Sequence, residues 1–271
     1  MKTSVSLSLF EAKEGMPVLF SGGTEENIAR IAELGYEGVD LFVKEPESEE
    51  TKVAVKLLEK YNLGVGVVMP AALAGEGLYL GDRDPAIREE CIRRIGEIIA
   101  FTATLGGMVS IGLVRGNKYS DETLAQFNER FTDSCKKLLD IATPLGVDLV
   151  IEPINRYEIN TINSTQEGIE YIKESGLDLY LMLDTFHMNI EDVSVETSFY
   201  EALPWTKHIH FLDSNRQAPS LGHMDMANYY RLLDKLEYKG YLCLEALPKP
   251  TTEICAKAGA DFFRLLKKEG L

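Results

Sequence analysis

Apolar, β-prone runs alternate along this chain with polar stretches of helical spacing. Eight runs read as strands: residues 4–9 (VSLSLF), 36–43 (YEGVDLFV), 63–70 (LGVGVVMP), 108–116 (MVSIGLVRG), 147–153 (VDLVIEP), 179–186 (LYLMLDTF), 208–214 (HIHFLDS) and 241–248 (YLCLEALP). Helical spacing fills 24–35, 47–64, 84–105, 121–146, 164–176, 225–240 and 257–270. In the third of these, Ile87, Cys91, Ile95, Ile98 and Ile99 fall on one stripe, with Asp84 placed to cap the helix and Pro85 to open it. Several helices end in Gly just before the next strand, as a C-cap does. Strands mostly apolar on both faces and alternating with helices imply a parallel sheet covered on each side.

At 271 residues, the simplest closure of such a sheet is an α/β fold of the (β/α)8 barrel type, a single domain over 1–271. An open doubly wound sheet would be marked by a GxGxxG turn after the first strand, and neither SGGT at 21–24 nor AGEG at 74–77 supplies it. In a closed barrel the reactive groups sit at the C-terminal ends of the strands and in the loops beyond them.

Composition narrows the partners. The chain is 45% hydrophobic and 26% charged, a soluble globular profile. No apolar run is long enough to span a membrane, and the first fifteen residues lack the h-region of a signal peptide. A cytoplasmic location is expected. Cys91, Cys135, Cys243 and Cys255 are scattered with no CxxC pair and read as reduced packing residues. A formal charge of −15 repels phosphate backbones and anionic membrane surfaces, which argues against nucleic acid and membrane partners.

Four strand ends carry ligand-type side chains. Glu152 closes the fifth strand, Asp184 closes the sixth, His210 lies in the seventh and Glu245 toward the end of the eighth. Their separations of 32, 26 and 35 residues are each about one βα repeat, so adjacent strands place them at similar height. Unpartnered buried charges cost several kcal/mol, and three carboxylates together require a cation or protons. One imidazole with three carboxylates suits Mn²⁺, Mg²⁺ or Co²⁺ better than a thiol-seeking metal. The alternative is that Glu152 and Glu245 pair with Arg156, Arg216 or a lysine at the rim. Further polar groups follow the same strands: Glu158 and Asn163, His187 and Asn189, then Asp213, Arg216, His223 and Asp225. His208 and Cys243 share strand faces with His210 and Glu245 one layer deeper and read as interior filling. Arg115, ending the fourth strand, could meet a distal carboxylate of a ligand or form a rim salt bridge.

The motifs IEPINRYE, LDTFHMNIE, HIHFLDSNRQAPSLGHMD and LEALP, with EGLYLGDRDPAIREECIRRI and IGLVRG upstream, resemble the D-tagatose 3-epimerase-like sugar epimerases, a group within the xylose isomerase-like TIM barrels. IGLVRG combined with DSNRQAPSLGHMD is more similar to the branch that includes 5-keto-L-gluconate epimerase. The resemblance implies that Glu152, Asp184, His210 and Glu245 bind one divalent ion, typically Mn²⁺, with Mg²⁺ or Co²⁺ as substitutes. It also implies that Glu158, His187 and Arg216 hold oxygens of a small-molecule sugar, and that the chain assembles as a homo-oligomer, a dimer or tetramer. The expected reaction is metal-dependent epimerisation at C3 of a free ketose or ketouronate through an enediolate, with Glu152 and Glu245 as the acid/base pair. An aldose-ketose or hydroxypyruvate-type isomerase, or an inosose dehydratase, would use the same ligands.

Overall fold

The computed structural model describes residues 1–268. Its barrel strands are β1 Lys2–Ser8, β2 Gly38–Phe42, β3 Gly64–Met69, β4 Met108–Ile111, β5 Leu149–Ile151, β6 Tyr180–Asp184, β7 Thr206–His210 and β8 Tyr241–Leu244. All neighbours pair in parallel, and β8 returns to β1 with Leu244 opposite Val5, so the sheet closes. A two-residue strand, Phe20–Ser21, adds to the end of β1. The expected (β/α)8 barrel is the observed one.

The helices are α1 Glu25–Leu34, α2 Glu49–Lys60, α3 Pro85–Ala103, α4 Leu124–Ala142, α5 Thr165–Ser175, α6 Thr185–Glu191, α7 Val195–Ala202, α8 Met226–Lys235 and α9 Thr252–Lys268. α3 begins as its sequence dictates: the Asp84 side chain accepts from the Ala86 amide, Pro85 occupies the first turn, and Cys91, Ile95, Ile98 and Ile99 are buried against the barrel. Capping boxes start α4 (Thr123 with Gln126) and α5 (Ser164 with Glu167). Two helices, α6 and α7, lie where the periodicity predicts none, and α6 begins inside the run read as the sixth strand. The last predicted helix starts earlier than 257, and its residues 269 and 270 lie outside the described residues.

Side chains alternate along each strand. Val5, Leu7, Val39, Leu41, Val109, Ile111, Leu181, Leu183, Ile209 and Leu244 face the helices in the main core. Phe42, Val67, Met69, Val150 and Met182 form a separate apolar cluster inside the barrel. Two residues on from Val150 and Met182 come Glu152 and Asp184; two on from His208 and Cys243 come His210 and Glu245. The period of two therefore brings all four to the inner row at the C-terminal mouth.

Candidate metal centre and active site

Ligand-type atoms of Glu152, Asp184, His210 and Glu245 all lie within 4.8 Å of one another, and all four residues are buried. His210 Nδ1 is 3.5 Å from Glu152 Oε1, 3.5 Å from Glu245 Oε2 and 3.8 Å from Asp184 Oδ2. Nδ1 of His210, Oδ2 of Asp184 and Oε2 of Glu245 are each buried without a hydrogen-bond partner. Buried polar atoms are almost always paired. Three orphans converging on one point fit a divalent cation, and the oxygen-rich donor set fits a hard one.

Proton affinities carry the same message. Burial first, then the carboxylates of Glu152 and Glu245, push the Asp184 carboxyl up to about 7. Burial and Glu245 likewise raise Glu152. Burial alone would depress His210, but Glu245, Asp40 and Glu152 overturn this and raise it well above its ordinary value. The cluster is short of positive charge and draws protons to supply it.

Local structure orients these groups. Glu152 lies one residue beyond β5, and Glu245 one residue beyond β8. Asp184 is both the last residue of β6 and the cap of α6: its Oδ1 accepts from the amides of Phe186 (2.7 Å) and His187 (3.3 Å), leaving Oδ2 to face the cluster. Gly112 makes room for Glu152, since a Cβ there would stand 2.8 Å from Oε2.

A second tier borders the cluster. Arg216, at a positive φ of 57°, places Nη2 3.6 Å from Glu245 Oε2 and donates from Nη1 to Glu158 Oε1 at 2.9 Å, with its guanidinium over the Phe186 ring. His187 turns Nε2 toward Asp184 Oδ2 (3.8 Å) and Glu152 Oε1 (4.0 Å). Asn155 Nδ2 donates to His187 Nδ1 at 2.8 Å, which puts the imidazole proton on Nε2. Burial, aided by Arg216 and His210, holds the His187 pKa well below its usual value. His187 is thus a neutral donor aimed into the site. Asn155 also donates to Glu158 Oε1 at 2.9 Å, so one amide orients both residues. The sequence gives Asn155 no such role, because His187, which it must meet, stands in α6, 32 residues on.

Other sequence candidates take structural parts. Arg156 pairs with Glu191 on the surface, not with Glu152. Asn163 ties the Ile154 and Ile159 carbonyls, and Asp225 caps α8. Asp213 accepts from the amides of Ser214, Ser220 and Met224 and so shapes the loop carrying Arg216, while His223 bonds Ser214. Asn189 is exposed. Arg115 meets neither a distal ligand nor a rim carboxylate: it is wholly buried, and its guanidinium binds Thr161 Oγ1 and the carbonyls of Ile111, Glu152, Thr161 and Ile162. Its part is to clamp the loop that leaves β5.

A chamber of about 700 Å³ opens above the cluster, with Glu152, Glu245, Glu158, His187 and Arg216 in its wall. Its remaining wall is mainly apolar, including Phe42, Met69, Leu113 and Ile154.

A family model described as xylose isomerase-like TIM barrel matches residues 28–266. The chain belongs to this family. Within the xylose isomerase-like TIM barrels, a D-psicose 3-epimerase of Agrobacterium fabrum is 35% identical over 231 residues, covering 82% of this chain and 78% of the relative. An L-ribulose 3-epimerase of Mesorhizobium japonicum is 28% identical over 226 residues, covering 82% and 75% respectively. A solved structure of L-ribulose 3-epimerase superposes with a TM-score of 0.83 at 23% identity, covering 99% of this chain and 95% of that one. These relatives within the xylose isomerase-like TIM barrels are epimerases, of the isomerase class. No described helix is long and apolar enough to cross a membrane.

Proposed function

We propose that this chain is a divalent-metal-dependent ketose 3-epimerase acting on a free ketose or ketouronate, with Glu152, Asp184, His210 and Glu245 as the ligands and Mn²⁺ as the ion. One observation carries the reading. Of the four clustered residues, Glu152 and Glu245 line the chamber, whereas Asp184 and His210 lie behind them. The two glutamates therefore stand between the ion site and any substrate.

When bound, the ion supplies Lewis acidity that stabilises the enediolate oxygens of a ketose. The side chains supply the rest. Glu152 and Glu245 exchange the C3 proton, one removing it and the other returning a proton to the opposite face. His187 Nε2 and the Arg216 guanidinium donate to substrate oxygens near the keto end. Glu158, tethered by Asn155 and Arg216, steadies Arg216 and accepts from a sugar hydroxyl. The names of the D-psicose and L-ribulose 3-epimerase relatives support the choice of C3. A hydride-shift isomerase would be expected to need a second ion open to the chamber; Asp40, His208 and Cys243, the other ligand-type group among the described residues, do not line it.

The test is exchange in D₂O. Mn²⁺-loaded protein incubated with ketohexoses, ketopentoses and ketouronates should wash out the C3 proton of at least one and generate its C3 epimer by NMR. Aldose formation, with exchange at C1 by an enediol route or without it by a hydride shift, would instead establish an isomerase. Arg216→Lys keeps the charge but loses the fork that reaches Glu158 with one arm and Glu245 with the other. It is expected to lower kcat/KM by about 10-fold to 100-fold, the range for a charged hydrogen bond. Steady-state kinetics on the best sugar would check this.

A further inference from the structure

We propose that Asp40, on β2, is a positioning residue that holds the His210 imidazole with Nδ1 facing the three carboxylates. The inference rests on the metal-site reading above. His210 has Nδ1 turned to the cluster, and its other nitrogen, Nε2, buried without a hydrogen bond, lies 3.3 Å from Asp40 Oδ2 on the far side of the ring. Nδ1 can serve as a ligand only when the ring proton is on Nε2, and a carboxylate beside Nε2 favours that tautomer.

Asp40 is itself tightly held. It is fully buried, its Oδ2 is 2.5 Å from His208 Nε2, and its Oδ1 accepts from Ser4 Oγ at 3.1 Å. The rings of His208 and His210 meet edge to face at 88° with centroids 5.4 Å apart. Gly66 on β3 leaves the space: a Cβ there would come within 2.6 Å of Asp40 Oδ1 and 2.9 Å of His208 Cε1. No lysine or arginine pairs with Asp40 in the barrel interior among the described residues; besides the Ser4 hydroxyl it faces the two imidazoles, hydrogen-bonded to His208 and 3.3 Å from His210. A buried carboxylate costs several kcal/mol, and packing alone gives no reason to keep one beneath three others.

Asp40, His208, His210 and Cys243 also have the residue types of a metal site. The contact between Asp40 Oδ2 and His208 Nε2 at 2.5 Å is a hydrogen bond that leaves no room for an ion between them.

The test measures metal binding directly. Wild type, Asp40→Asn and Cys243→Ala are stripped with chelator and titrated with Mn²⁺, with free ion followed by electron paramagnetic resonance. One tight site per chain is expected in wild type. Asp40→Asn, which keeps the side-chain volume, is expected to bind about 10-fold to 100-fold more weakly, and Cys243→Ala, in the same layer, as tightly as wild type. Equal affinity in Asp40→Asn overturns the inference while leaving the metal site standing. A second ion in wild type that Asp40→Asn loses also overturns it, since Asp40 would then be a ligand. Absence of any tight site in wild type brings down the metal-site reading as well. Should Asp40→Asn fail to fold, ¹H–¹⁵N spectra of the Mg²⁺-loaded wild type decide: a His210 Nε2 proton shifted downfield, as one hydrogen-bonded to a carboxylate is, is expected, and one with the shift of an N–H that lacks a carboxylate partner overturns the proposal.

Discussion

Glu245→Gln is expected to slow C3 epimerisation by about 10²-fold to 10⁴-fold, the range for losing a general acid or base, and Glu152→Gln to do the same. Inversion needs a proton taken from one face and delivered to the other, so neither glutamate can stand in for its partner. Both variants are expected to fold. Each glutamate is buried beside other carboxylates, and a neutral amide of the same shape relieves like-charge repulsion instead of opening a cavity. Chelated Glu152→Gln and Glu245→Gln should melt no lower than chelated wild type. Rates of epimer formation and calorimetric melting together check this. Normal turnover in either variant would remove that glutamate from the chemistry, and a large fall in melting temperature would mark the loss as structural.

Much of this site is legible in the chain because a barrel is a repeat. Once eight strands are recognised, Glu152, Asp184, His210 and Glu245 sit one βα unit apart, each at the end of an apolar run, and the pleat fixes which residues share the inner row. Legibility falls where a role depends on contacts between distant strands or loops. Asp40 sits in the apolar run GVDLF, and nothing local shows that it lies beneath His210, 170 residues later. Asn155 is visible as a polar residue, yet its use emerges only when the loop after β5 meets α6. Arg115 looks like a rim cation until its guanidinium is seen spent on carbonyls. Helix α6 escapes the periodicity because it is a short helix started by the Asp184 carboxylate, so one residue ends a strand, caps a helix and faces the carboxylate–imidazole cluster.

Removal of the ion is expected to make the protein both inactive and sensitive to alkali. In the chelated protein Asp184 titrates at about 7, raised from 3.8 by burial and by Glu152 and Glu245, and His210 titrates well above 6.5 because Glu245, Asp40 and Glu152 outweigh burial. For groups whose folded pKa is raised, the folded state holds more protons than the unfolded one, and that stability disappears as pH rises through the folded pKa. Asp184 loses that stability up to about pH 7 and His210 from about 6.5 upward, so from about pH 6.5 to 7 both groups, and above about 7 His210 alone, should make the chelated protein melt at progressively lower temperature. His187, whose folded pKa is depressed, acts with the opposite sign, but below about pH 6.5, where the unfolded chain's imidazole takes up its proton. Mn²⁺ replaces the missing protons and should flatten the slope. At 100-fold over its Kd the ion adds about 2.7 kcal/mol, which for a chain of this size is about 5–10 °C in Tm. Calorimetry at pH 6.5, 7.2 and 8.0, with chelator and with Mn²⁺, measures both effects. A chelated protein whose Tm holds level across that range would mean that the cluster does not store protons in place of a cation. Protons and ion compete for the same atoms, so Mn²⁺ affinity should also weaken as pH falls below about 7, where Asp184 is protonated.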